Sequence, residues 1–130
     1  MIEIIIPGVP VPWKSPKVTR KGTFSPHYRD SKKIRLIIAS QYKGLILDQA
    51  IRVDAEFFMP IPKSASKIKR ALMLDHYIRP VGPPDRTNML KLYEDCLQGI
   101  VINKDSRIVE GDARKFYGEN PKTVLTISFI

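Results

Sequence analysis

Apolar residues recur along this chain with two different periods, and the change of period marks its elements. Ile4, Ile5 and Ile6 form a short apolar run stopped by Pro7-Gly8, with Pro10 and Pro12 beyond, which predicts a first strand. From Asp30, with Asp30 or Ser31 as cap, Ile34, Ile37, Ile38 and Tyr42 fall on one face of a helix that Gly44 can end. Ile51, Val53, Ala55, Phe57 and Met59 then alternate with Arg52, Asp54 and Glu56, the two-residue period of a half-buried strand, until Pro60 and Pro62 stop it. Ser64 to Leu74 predicts a second helix. Pro80, Pro83 and Pro84 exclude a helix before Asp85, so the next one starts sharply there and runs to Gln98, with Gly99 as its stop. Met89, Leu92, Tyr93, Cys96 and Leu97 are its apolar stripe. Ile100–Ile102, the run Asn103 to Ser106, and Ile108 onward read as strand, turn and strand, and a last strand covers Thr123 to Phe129. With no repeat or linker, the expectation is one compact α/β (α+β) domain over residues 1–130, a mixed sheet packed by helices.

Charge alters this picture of an ordinary small domain. The chain has 130 residues and a formal net charge of +9, an excess that favours a polyanionic partner, nucleic acid before an acidic membrane. Residues 1–79 carry fifteen Lys or Arg against six acids, whereas residues 80–130 carry seven of each. A protein that only coats DNA has little use for carboxylates near phosphate; a nuclease needs them to hold cations. The segment 14–29 reads as a long basic loop, with Lys14, Lys17, Arg20, Lys21 and Arg29 interleaved with Trp13, Phe24, His27 and Tyr28, and a turn at Gly22. The helix over 64–74 is basic too, through Lys67, Lys69 and Arg70. Cys96 is the only cysteine, which excludes an internal disulfide framework, and no run approaches membrane-spanning length. The start is too short for a signal peptide, so a cytoplasmic location is expected, without a membrane partner.

Candidate chemistry concentrates in Pro84 to Lys91 and Asn103 to Glu110. Hydrolysis of a phosphodiester calls for hard oxygen ligands around a cation such as Mg²⁺, and for positive charge where the transition state becomes more negative. Asp85 at a helix start and Asp105 at a turn can supply ligands, and Thr87 and Lys91 lie i, i+4 on the same helix with Asn88 one step round. Each has a plainer explanation: Asp85 as a cap, Asp105 as a turn residue, Lys91 paired with Asp95. His76 suits packing or surface, and Cys96 suits the core. Glu110 and Asp112 fall on one face of a strand, which suits solvent or a cation.

The stretch Pro84 to Val109 resembles the RusA-type Holliday-junction resolvases, whose pattern is Asp-x-Asp-Asn, a Leu, a Lys, then Asp-Asp-x-x-Val. Asp85 matches the first aspartate, Asn88 the asparagine, Lys91 the lysine and Asp105 the second acid of the downstream cluster, where Lys104 replaces the first. Asp95 and Leu97 match as well, and Glu110 falls where the family often has another acid. Thr87 stands in place of the family's second aspartate, a neutral and weak ligand. The resemblance implies a small dimeric nuclease, of a kind often carried by phages and prophages, that resolves four-way DNA junctions in recombination and repair. It implies Mg²⁺, with Mn²⁺ as an alternative, held by Asp85 and Asp105 with support from Thr87 or Glu110, and Lys91 stabilising charge on the phosphate. Lys14, Lys17, Arg20, Lys21, Lys67, Lys69, Arg70 and Asn88 would contact DNA. The rival readings are a protein that grips branched DNA without cutting it and a broader flap or single-strand nuclease.

Overall fold

A computed structural model describes all residues from Met1 to Ile130. In chain order the elements are β1 (Ile2–Pro7), β2 (Lys17–Thr19), β3 (Gly22–Phe24), α1 (Tyr28–Gln41), β4 (Ile51–Pro60), α2 (Lys67–Leu74), α3 (Arg86–Leu97), a 3-10 turn (Asp105–Arg107), β5 (Ile108–Glu110), β6 (Ala113–Gly118) and β7 (Lys122–Phe129). The protein is a small α+β domain built on a mixed sheet. β7 lies between β1 and β4 and is antiparallel to both, while β5 and β6 line up parallel on the far side of β4. Parallel partners need a crossover connection, and the segment with α2 and α3 supplies it.

The alternation read in β4 sets the sheet's inner face. Ile51, Val53, Ala55, Phe57 and Met59 are all buried, joined from β7 by Leu125 and Ile127 and from β1 by Ile4 and Ile6. Helices α1 and α3 cover this face with Ile34, Ile38, Met89, Leu92, Tyr93, Cys96 and Leu97. Phe57 and Tyr93 meet at its centre with ring centroids 5.6 Å apart. Cys96 is core, as its stripe implied. At the outer edge of β1 the Gln41 side chain occupies Ile5, accepting from its N–H at 2.9 Å and donating to its carbonyl at 2.6 Å. An amide standing in for a strand removes a place where another chain could pair.

Four expectations change. The basic loop contains a two-stranded antiparallel arm, β2–β3, that turns through Arg20 and Lys21 onto Gly22 at φ 121°. α1 starts at Tyr28, before the expected Asp30 or Ser31 cap. Ile100–Ile102 is a buried turn rather than a strand: the N–H groups of Ile100, Val101 and Ile102 all reach Leu97 O. The sequence from Ile108 onward is two strands, so Glu110 and Asp112 do not share one. The break is at Gly111, where φ is 149° and an added Cβ would lie 1.7 Å from Val53 O. Gly111→Ala is therefore expected to push β5 from β4 and to cost about 2 to 4 kcal/mol of stability, read as a lower urea midpoint.

Candidate active site

Helix α3 carries the residues of interest because its inner stripe is fixed by the core. Turning Met89, Leu92, Tyr93 and Cys96 inward leaves Thr87, Lys91, Glu94 and Gln98 on the opposite side, at spacings of three and four residues. Asp85 occupies the cap position, but its side chain makes no capping hydrogen bond. Its exposed carboxylate has no protein partner, so capping does not explain it.

The chain crosses over α3 before entering the arm. Val11 N–H donates to Tyr93 Oη at 3.2 Å and Trp13 N–H to Asn88 O at 2.9 Å. The Lys91 ammonium sits 3.6 Å from the centroid of the Trp13 ring, which holds the cation by its π face and away from Asp95. Trp13 in turn leans on His27, centroids 5.7 Å apart. His27 is buried, and its Nδ1 accepts from Lys14 N–H at 3.0 Å. The ring proton then belongs on Nε2, which faces Ser25 Oγ at 3.0 Å. Lys14 thus roots the arm beside α3, Lys17 lies on its first strand, and Arg20 and Lys21 form its tip, all exposed.

Asp105 is held at the other end of α3. Its N–H donates to Gln98 Oε1 at 3.0 Å, and Gln98 Nε2 donates to Asp95 Oδ1 at 2.8 Å. Arg35 from α1 donates to the carbonyls of Asp95 and Gln98, both at 2.9 Å, placing a cation at the negative end of the helix dipole. On either side of Asp105, Asn103 and Arg107 donate to Asp48 Oδ1 at 2.9 Å. Those two hydrogen bonds hold the Asp48 carboxyl below its ordinary value, the one from Asn103 contributing most. The Asp105 backbone is thereby clamped while its carboxylate accepts nothing from the protein.

The structure does not gather the expected acids into one cluster. A helix rises about 1.5 Å per residue, so Asp85 and Gln98 stand on the order of 20 Å apart along it. No three His, Cys, Asp or Glu side chains converge on a cation position. Glu110, expected as a supporting acid, is 3.3 Å from Arg52, which also holds Asp54 at 2.8 Å and Asp112 at 3.2 Å. The acid beside Asp105 is Glu94, which the sequence reading passed over. It is half-buried in a recess of about 230 Å³ with Val53, Leu90, Ile108, Val109, Glu110 and Gly111. Burial, and then the charge of Asp105, push the Glu94 carboxyl above the usual carboxylate range. Mg²⁺ commonly takes one or two protein carboxylates and completes its shell with water and phosphate oxygens. Two neighbouring carboxylates without a protein cation between them fit that demand.

Among the remaining expected residues, Asn88 is exposed on the first turns of α3, with its carbonyl used by Trp13. Lys67, Lys69 and Arg70 lie on α2, which is capped by Ser66 and packs near the end of β6, where Arg70 meets Glu119 at 3.4 Å. His76 packs against Phe116, centroids 4.5 Å apart.

A helix face offering carboxylates and a lysine, with a basic two-stranded arm rooted beside it through Trp13, is equipment for handling nucleic acid. The chain belongs to the RusA endodeoxyribonuclease family, whose model matches residues 7–128. It is also similar to the uncharacterized protein YqaN of Bacillus subtilis (strain 168), at 29% identity over 97% of this chain and 94% of that one. No helix is long and apolar enough to cross a membrane.

Proposed function

We propose that this protein is a Mg²⁺-dependent endonuclease that cuts four-way DNA junctions as a homodimer. The observation that carries the reading is the outer face of α3: Lys91 and Glu94 on the helix, and Asp105 tethered to its end by Gln98, with both carboxylates free of protein cations in a chain of net charge +9. Glu94 and Asp105 would hold the ion, which when bound would supply an activated water and neutralise charge on the phosphodiester. Lys91, parked on Trp13, moves to a phosphate oxygen and stabilises the charge that develops there. Asp85, the family's first aspartate, stands uncapped at the helix start, open to a cation that arrives with the DNA. A two-fold dimer would offer two such sites to strands of like polarity in a junction that is itself approximately two-fold.

The arm and α2 supply the sequence-independent grip. Neutralising Lys17, Arg20 and Lys21 together is expected to flatten log K against log salt by about three units at most, because each phosphate contact releases counterions. An unchanged slope would remove the arm from the DNA path. Cleavage of a synthetic four-way junction beside a linear duplex, with and without Mg²⁺, tests the proposal as a whole. Thr87 in place of an acid favours one rival, a protein that binds branched DNA without cutting it. Junction binding with no cleavage at any Mg²⁺ or Mn²⁺ concentration would establish that rival.

A further inference from the structure

The Asp85 end of α3 borders a second feature that neither the family motif nor the basic arm includes. Arg79, Pro80, Arg86, Ala113, Arg114 and Lys115 line a depression of about 350 Å³. Four of the six are cations and none is an acid. They come from three separate places in the chain, brought together by the start of β6.

Backbone carbonyls hold three of them in place. Arg79 Nε donates to Lys115 O, and its guanidinium lies 4.1 Å from the centroid of Phe116. Arg86 Nη1 donates to Ala113 O at 3.1 Å. Lys115 Nζ donates to Gly82 O at 2.7 Å and Pro84 O at 2.9 Å. The single carboxylate contact is Arg114 with Asp112 at 3.3 Å, where both side chains are more than half exposed. A guanidinium has five N–H donors, so most of the donor capacity around the depression is unspent. Like charges fixed side by side repel one another, and an oxyanion bridging them relieves that repulsion while using their donors.

We propose that this depression is a pocket for one backbone phosphate of the DNA strand passing Asp85, with Arg79 and Arg114 as its principal contacts. The inference rests on the endonuclease reading and adds a fixed anchor at the Asp85 end of α3, on the order of 20 Å along the helix from Gln98. Lys115 holds the carbonyl of Pro84 and Arg86 follows Asp85 directly, so a phosphate seated here sets the strand's register against that aspartate. Phosphate contacts of this sort position the duplex without reading its sequence.

The test is binding of a labelled four-way junction in metal-free buffer across a salt series, comparing wild type with Arg79→Gln/Arg114→Gln. The slope of log K against log salt is expected to fall by about 0.9 for each pocket engaged. Junctions carrying single neutral methylphosphonate linkages give a second reading that does not depend on the variant's overall affinity. One linkage should weaken wild-type binding and leave the variant unchanged. If the slope is unaltered, or no linkage behaves in this way, the pocket is not a phosphate site, while salt-sensitive wild-type binding keeps the nucleic-acid reading intact. If wild type shows no salt-dependent binding of the junction, both fall together.

Discussion

Asp105→Asn is expected to reduce cleavage of a four-way junction on the order of a thousandfold, since removing a metal-holding charge forfeits several kcal/mol of transition-state stabilisation. Junction binding without metal should remain within about twofold, because the basic surface that dominates affinity is untouched. The substitution preserves shape, and the clamp on this segment does not use the Asp105 side chain: it consists of Gln98 to the Asp105 N–H and Asp48 to Asn103 and Arg107. Loss of activity would therefore report on charge rather than on a collapsed loop. Single-turnover cleavage at saturating Mg²⁺, paired with binding in EDTA, gives both quantities. Cleavage at the wild-type rate would show that Asp105 holds no ion, and weakened binding in EDTA would show instead that it positions DNA.

The parts of this fold that were readable in advance are those where a single burial pattern dominates. β4 is flanked on both sides by strands and covered on one face by helices, so its alternation is complete and unambiguous. α3 begins after prolines that forbid a helix and ends before Gly99 at φ 81°, so both boundaries are set by local chemistry. The arm was not readable because all six residues of its strands are exposed. Without a buried face no alternation arises, and the basic run looks like loop. Ile100–Ile102 misled for the opposite reason. Val101 and Ile102 are fully buried, but as a turn beneath Leu47, and burial alone does not separate a strand from a turn.

The site divides in the same way. Asp85, Lys91 and Asp105 could be named because their types and spacing match a family pattern. The features that give them a geometry come from distant sequence: Trp13 under the Lys91 ammonium, Asp48 across the Asp105 turn, and Arg52 paired with Glu110. Glu94 was passed over because two turns of helix separate it from Thr87, and only the return of the chain along α3 puts Asp105 beside it. Four cations in one depression are equally invisible in sequence, since Arg79, Arg86 and Arg114 are each unremarkable alone.

Glu94→Gln and Glu110→Gln decide which acid compensates for Thr87, and the two are expected to differ sharply. Glu94 is partly desolvated and faces the charge of Asp105, whereas Glu110 is exposed and already paired with Arg52. Removing Glu94 should raise the Mg²⁺ concentration for half-maximal cleavage by roughly tenfold or more, because it takes away one of two charged oxygen ligands. Removing Glu110 should shift it by less than about twofold, as exposed ion pairs contribute little. Stability supplies an independent signature. The Glu94 carboxyl is raised above its unfolded value of about 4.5, so folding disfavours its charged form. That penalty is absent below the unfolded pKa and fully present above the folded one. Glu94→Gln should accordingly make the metal-free protein more stable at neutral pH, with the gain fading as pH falls through the carboxylate range. Thermal or urea unfolding in EDTA at a series of pH values measures it. A variant that is more stable and yet needs more Mg²⁺ would mark Glu94 as an acid held at a cost for the ion's sake. If instead Glu94→Gln cuts normally while Glu110→Gln does not, the ion lies on the Arg52 side of the recess and the assignment of Glu94 is wrong.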